Sequence, residues 1–214
     1  MRPVIVALVA LGMVAVGPSA SAAPTPKLFG TVGPSFTITL KDASGKRVKT
    51  LAVGKYTIVV SDRSASHNFH LRGPGVNRAI TGVGFVGKKT VTVAIKAGIY
   101  RYVCDPHSSS MRGSFKAVKA VRLLGSVGPE FTIGLTNRSG TAVSTIKPGF
   151  YTIAVADKSA IHDFHLQGPG VNVVITSVAF VGTKTVTAQL RPGRYVYVCD
   201  PHSSDMKGSF TVTS

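Results

Sequence analysis

The chain has 214 residues, 44% of them hydrophobic, with 23 Gly, 12 Pro, two Cys, no Trp and a formal charge of +17. Its abundance of Val, Thr, Gly and Ser favours strands and turns over helices. The charge is uneven: Lys27 to Arg122 holds 17 basic and 3 acidic residues, a balance of +14, whereas Leu123 onward holds 7 and 5, a balance of +2. The basic residues are dispersed over predicted strands and loops, and no recognition helix or nucleic-acid motif is present, which argues against nucleic acid as a partner. A positive surface of this kind steers encounter with an acidic protein partner or an anionic cell-envelope surface, or serves solubility alone.

The N-terminus opens with Met1-Arg2, runs almost wholly apolar from Pro3 to Gly17, and reaches Ala20-Ser21-Ala22, a small-x-small pattern. This pattern predicts a secretory signal over residues 1–22, cleaved after Ala22. The apolar run falls short of the about 20 residues a membrane-spanning helix needs. A mature chain without a transmembrane segment is expected, secreted, periplasmic or on the cell-envelope exterior. Export makes a Cys104–Cys199 disulfide the plain alternative reading of two cysteines, but a bridge leaves the neighbouring His and Met unexplained.

From Leu28 the sequence repeats at Leu123 without a gap, so that His67 and Cys104 recur as His162 and Cys199. Val32-Gly33-Pro34, Gly73-Pro74-Gly75-Val76-Asn77 and Phe85-Val86-Gly87 each return in the second copy. A unit this long is a domain rather than a solenoid repeat, and the expected domains are residues 27–120 and 121–214. Within a unit, Phe36-Thr37-Ile38-Thr39-Leu40 alternates as a strand, Ser44-Gly45 marks a turn, and strands follow at Tyr56 to Val60 and Val91 to Ile95. Ile99 to Cys104 is a strand that delivers Cys104 at its end, and Gly113 to Val118 closes the unit. About seven short strands without helical periodicity predict an all-β fold of two tandem Greek-key β-sandwiches. The link around Ala117 to Leu124 is short and apolar, so the two units are expected to touch.

One loop dominates the chemistry. Val103-Cys104-Asp105-Pro106-His107-Ser108-Ser109-Ser110-Met111 recurs as Val198-Cys199-Asp200-Pro201-His202-Ser203-Ser204-Asp205-Met206. With His67-Asn68-Phe69-His70 and His162-Asp163-Phe164-His165 added, these clusters hold every Cys, every His and every Met beyond Met13. A thiolate, two imidazoles and a weak axial thioether form the ligand set of a blue-copper centre.

An exported β-sandwich with a His after an early strand and Cys-x-x-His-x-x-x-Met before the last strand resembles the cupredoxins, the plastocyanin- and azurin-like type 1 blue copper proteins. The resemblance covers each repeat from end to end. It implies one mononuclear copper per domain, cycling between Cu(II) and Cu(I), bound by His67, Cys104, His107 and Met111 in the first and by His162, Cys199, His202 and Met206 in the second. His67 is preferred to His70 because the family's first ligand is commonly followed by Asn, as in His67-Asn68. Strand alternation also puts His70 on the opposite face, leaving His70 and His165 at the surface or behind the ligands. In the family that Asn ties the two ligand-bearing loops together; here Asp163 replaces it in the second copy, and an ionised Asp163 predicts a lower potential there. The implied function is electron transfer between redox partner proteins, with copper carriage or storage on the same ligands as the alternative. A multicopper oxidase or nitrite reductase activity is disfavoured, because Val103 and Asp105 flank the Cys where those families place His, and no His-x-His pair occurs.

Overall fold

The computed structural model describes residues 25–214; the signal expected over residues 1–22 lies outside the described residues. The first half runs β1 (Lys27–Val32), β2 (Ile38–Lys41), β3 (Thr50–Ala52), β4 (Gly54–Asp62), β5 (Phe69–Gly73), β6 (Val76–Thr81), β7 (Gly87–Ile95), β8 (Gly98–Val103) and β9 (Arg112–Val118). One sheet has the order β2-β1-β4-β7 and the other β3-β9-β8-β5-β6. The hairpins β1–β2, β5–β6 and β8–β9 each stay in one sheet while the other connections cross between the sheets, and β1 lies parallel to β4 and β3 parallel to β9. The second half repeats this with β10 (Val121–Val127), β11 (Ile133–Thr136), β12 (Thr145–Ile146), β13 (Gly149–Asp157), β14 (Phe164–Gly168), β15 (Val171–Thr176), β16 (Gly182–Leu190), β17 (Gly193–Val198) and β18 (Lys207–Val212). Each half is a Greek-key β-sandwich, as the alternation of the sequence predicts.

Strand β4 shows why the chain folds this way. Tyr56, Ile58, Val60 and Asp62 point inward and are buried, while the residues between them are less so, the period-two pattern of a strand buried on one face. Leu28, Leu40, Phe69, Leu71, Tyr100 and Phe115 join them between the sheets. Two flat aromatic stacks fill the interior, Phe69 on Tyr102 with centroids 5.6 Å apart and Tyr100 on Phe115 at 5.0 Å. Glycine makes room for them: a Cβ on Gly73 would lie 2.3 Å from the Tyr100 ring, and one on Gly113 2.2 Å from Tyr102. Tyr100 then reaches the sandwich edge, where its hydroxyl donates to Pro74 O at 2.9 Å and accepts from Lys96 N at 2.8 Å.

The halves have separate cores, and among the described residues no hydrogen bond or ion pair joins them; the expected contact between units is not carried by polar links. Cys104 and Cys199 are both free and buried, each in its own core, so no Cys104–Cys199 disulfide exists. The strand expected from Phe36 begins two residues later, at Ile38. Gly33 N donates to Thr37 O and Thr37 Oγ1 to Pro34 O, and this tight turn holds Phe36 out of the ladder.

Candidate metal centre

The Cys loop is built to face several side chains one way. β8 ends at Val103, and Asp105-Pro106-His107 forms a single 3-10 turn in which Pro, lacking an amide hydrogen, suits the first positions. His107 N donates to Cys104 O, Met111 N to His107 O at 2.8 Å, and Cys104 N to Met111 O at 3.0 Å. Closed by these bonds, the loop buries Cys104 and Met111 completely and leaves His107 half-buried. His67 comes from the turn before β5, not from a strand, and is 4% exposed. His67 thus stands beside the Cys104 loop because of this turn and not through alternation along one strand.

In the first half, His67 Nδ1 lies 3.1 Å from His107 Nδ1 and 3.6 Å from Cys104 Sγ, and Cys104 Sγ lies 3.5 Å from His107 Nδ1. In the second, the corresponding separations among His162, His202 and Cys199 are 3.1, 3.7 and 3.5 Å. A point equidistant from three atoms so spaced sits about 2.0 Å from each, close to metal–imidazole bond lengths and slightly short of metal–thiolate ones. The donor set fits one metal ion per half, and its softness favours copper. Met111 and Met206 sit fully buried on the same loops. The structure thus brings His67, Cys104 and His107 together, and likewise His162, Cys199 and His202.

Behind these donors lies a polar layer. Asp105 N donates to Asn68 Oδ1 and Asn68 Nδ2 to Asp105 Oδ2, both at 2.7 Å, which locks the His67 turn to the Cys104 loop. His70 meets Asp105 through Nδ1 at 2.8 Å and Asn77 Oδ1 through Nε2 at 2.8 Å, and Arg72 pairs with Asp105 at 2.8 Å. Slight burial raises the Asp105 carboxyl, but the hydrogen bonds from Asn68 and His70 and the charges of His70 and Arg72 outweigh it and hold it below the usual carboxylate range. His70 and His165 accordingly brace the loop rather than face the donors.

The second half differs at two places, with Gln167 where the first has Arg72 and an oxygen of Asp163 where the first has the amide nitrogen of Asn68. Asp200 N donates to Asp163 Oδ1 at 2.7 Å as in the first half, but no amide hydrogen faces Asp200 in return. Burial raises the Asp163 carboxyl; the Asp200 amide lowers it, and the Asp200 carboxylate beside it raises it again, with a net upward shift. Where Asn68 offers Asp105 an N–H, Asp163 sets a second carboxyl group beside that of Asp200.

A further residue over the donors was not foreseen. Phe36 is 64% exposed yet sets its ring edge-on to His107 at 4.9 Å and to His67 at 5.8 Å. Phe131 repeats this over His202 and His162 at 5.0 and 5.7 Å. The repeated Val-Gly-Pro-x-Phe was the available signal, because a turn held identically in both copies has a fixed side chain to place.

Neither a protein-family model nor a curated protein matches this sequence. Among solved structures, the chain is similar to a multicopper oxidase at 13% identity and a TM-score of 0.31, covering 87% of this chain and 88% of that one. It is also similar to rusticyanin, described as a copper protein, at 19% identity and a TM-score of 0.34, covering 45% and 80%. A Cu-containing nitrite reductase from Thermus scotoductus SA-01 matches at 11% identity and a TM-score of 0.27, covering 88% and 61%. Likenesses at these scores carry no weight of their own. Strand order and the convergent donors give each half a Greek-key β-sandwich in which a Cys and two His are gathered, with a buried Met on the same loop as the Cys.

Proposed function

We propose that this is an exported electron-transfer protein with one type 1 copper site per domain, over residues 27–120 and 121–214. His67, Cys104, His107 and Met111 would hold the first ion, and His162, Cys199, His202 and Met206 the second. The observation that carries this reading is the pair of donor triangles, alike to within 0.1 Å in every separation. Bound copper supplies one-electron chemistry between Cu(II) and Cu(I). The chain supplies rigidity: the Met111–Cys104 and Asn68–Asp105 bonds fix the donors before any ion arrives, so little rearrangement accompanies a change of charge. Cys104 and Met111 are sealed from solvent, and the imidazole of His107, half-buried beside Phe36, is the donor nearest the outside.

That burial favours electron traffic over carriage of copper as cargo, since a chelating partner reaches only one donor directly. Among the described residues no helix is long and apolar enough to cross a membrane, and the signal-like N-terminus supports export. Partners would be redox proteins, and the positive first half favours acidic ones.

Copper titration of the full chain followed by absorption spectroscopy and voltammetry tests the reading. Two equivalents of copper, intense blue colour and reversible one-electron waves are expected, and Cys104→Ser should leave one blue site. Colourless Cu(I) retained with sluggish redox would replace electron transfer by carriage, and no copper uptake would end the proposal.

A further inference from the structure

The flank of the first half, beside the Cys104 loop, carries a feature that neither the copper ligands nor the fold requires. An open concavity of about 900 Å³ lies over the outer face of β5, β8 and β9, lined by Arg72, Arg101, Arg112, Ile99, Val103 and Ser108 among others. Arg72 and Arg101 stand directly opposite each other across the β5–β8 ladder. Arg112 is opposite Val103 on β8, on the same face and one pair nearer the loop. Like charges directly opposed in a ladder are destabilising. Only Asp105 answers them, through Arg72 at 2.8 Å; among the described residues Arg101 and Arg112 have no side-chain hydrogen bond or ion pair.

The second half shows that the fold does without this arrangement. At the places of Arg72, Arg101 and Arg112 it has Gln167, Val196 and Lys207, in the same strands and register. Its Arg194, at the place of Ile99, donates to Ser209 Oγ at 3.2 Å. The directly opposed pair of guanidinium groups is thus particular to the first half, and an anion seated beside it would relieve the repulsion.

We propose that this concavity is a docking site for an acidic segment of a partner protein, with carboxylates on Arg101 and Arg112 and apolar side chains against Ile99 and Val103. Guanidinium groups present paired donors that match carboxylate geometry. The apolar floor has room for more than an isolated ion. No aromatic ring lines it to stack a base, because Tyr100 and Tyr102 point into the core, which disfavours single-stranded nucleic acid. Ser108 and Arg112 directly follow His107 and Met111, so a segment held here lies against the proposed copper loop. The site's role in electron transfer rests on the function proposed above, but its binding does not require copper.

Isothermal titration calorimetry on the metal-free full chain with an alternating glutamate–leucine hexapeptide tests this. R72Q/R101V installs residues that the second half already carries in the same strands, and R101E leaves the Arg72–Asp105 pair intact. Each is expected to weaken the peptide about ten-fold or more, while K55Q/K88Q, the same loss of charge as R72Q/R101V on the other sheet, should change it less than about two-fold. Equal losses in both double variants would overturn the site in favour of a diffuse field. Inorganic phosphate, or a hexathymidylate, binding as tightly as the peptide and with the same dependence on Arg101 would overturn the acidic segment as occupant. Because no copper is present, failure here leaves the copper reading untouched, and failure to load copper leaves this one untouched.

Discussion

Replacing Asn68 by Ala tests the link between the two loops that meet at the donors. Asn68 is 4% exposed and makes two hydrogen bonds of 2.7 Å to Asp105, one to its amide and one to its carboxylate. Truncation leaves the Asp105 amide without its partner, at about 1–3 kcal/mol for a buried group. The carboxylate, partly exposed and still held by His70 and Arg72, loses less, about 1 kcal/mol. A total of about 2–4 kcal/mol lowers the melting temperature of a domain of this size by roughly 10–30 °C. Because the halves have separate cores, calorimetry of the metal-free chain should show the loss in one transition only. N68D, which keeps the acceptor and sets a carboxyl group beside Asp105, should fall between N68A and the natural chain. D163N should stabilise the other half by supplying the missing N–H. A shift under about 3 °C for N68A, or a shift of both transitions, would refute the view that this residue clamps its own loop pair.

Two other perturbations exploit the repeat. Asp42 Oδ1 accepts from the Ser44 amide and hydroxyl and from the Lys46 amide; slight burial raises its carboxyl, but these bonds and the Lys46 charge leave it below its ordinary value of 3.8. A depressed folded-state value stabilises above pH 3.8 and loses that contribution as pH falls through the folded value. Asn137 makes the matching bonds to Ser139 and Thr141 without titrating, so D42N should flatten the acid-side fall of the first transition in a pH series of thermal melts. Gly113→Ala drives a Cβ to 2.2 Å from the Tyr102 ring, which cannot yield without leaving Phe69; urea unfolding should show a loss of about 1–3 kcal/mol, against a smaller loss for Gly82→Ala, which meets no atom within 4 Å and needs no positive φ.

The donors were legible because soft-metal chemistry concentrates Cys, His and Met at fixed short spacings, and a gapless repeat displays the pattern twice. Strand positions followed from alternation wherever one face is buried, as in β4. What escaped was set by tertiary geometry. Phe36 reads as a strand residue because alternation records burial, and a turn that swings an aromatic ring outward onto an imidazole leaves no periodic trace. His67 and His70 read as opposite faces of one strand, whereas the strand begins only at Phe69, with a bulge between Phe69 and His70. The Asp163 carboxyl is raised by burial and by the carboxylate of Asp200, 37 residues away, and no local spacing encodes that encounter.

Each donor set is closed by side chains of its own repeat and backed by its own core. Nothing in the interior therefore ties the outer character of one half to that of the other. A duplicated chain of this design can hold a near-identical centre twice while the skin around each drifts in electrical strength, here from +14 in one half to +2 in the other.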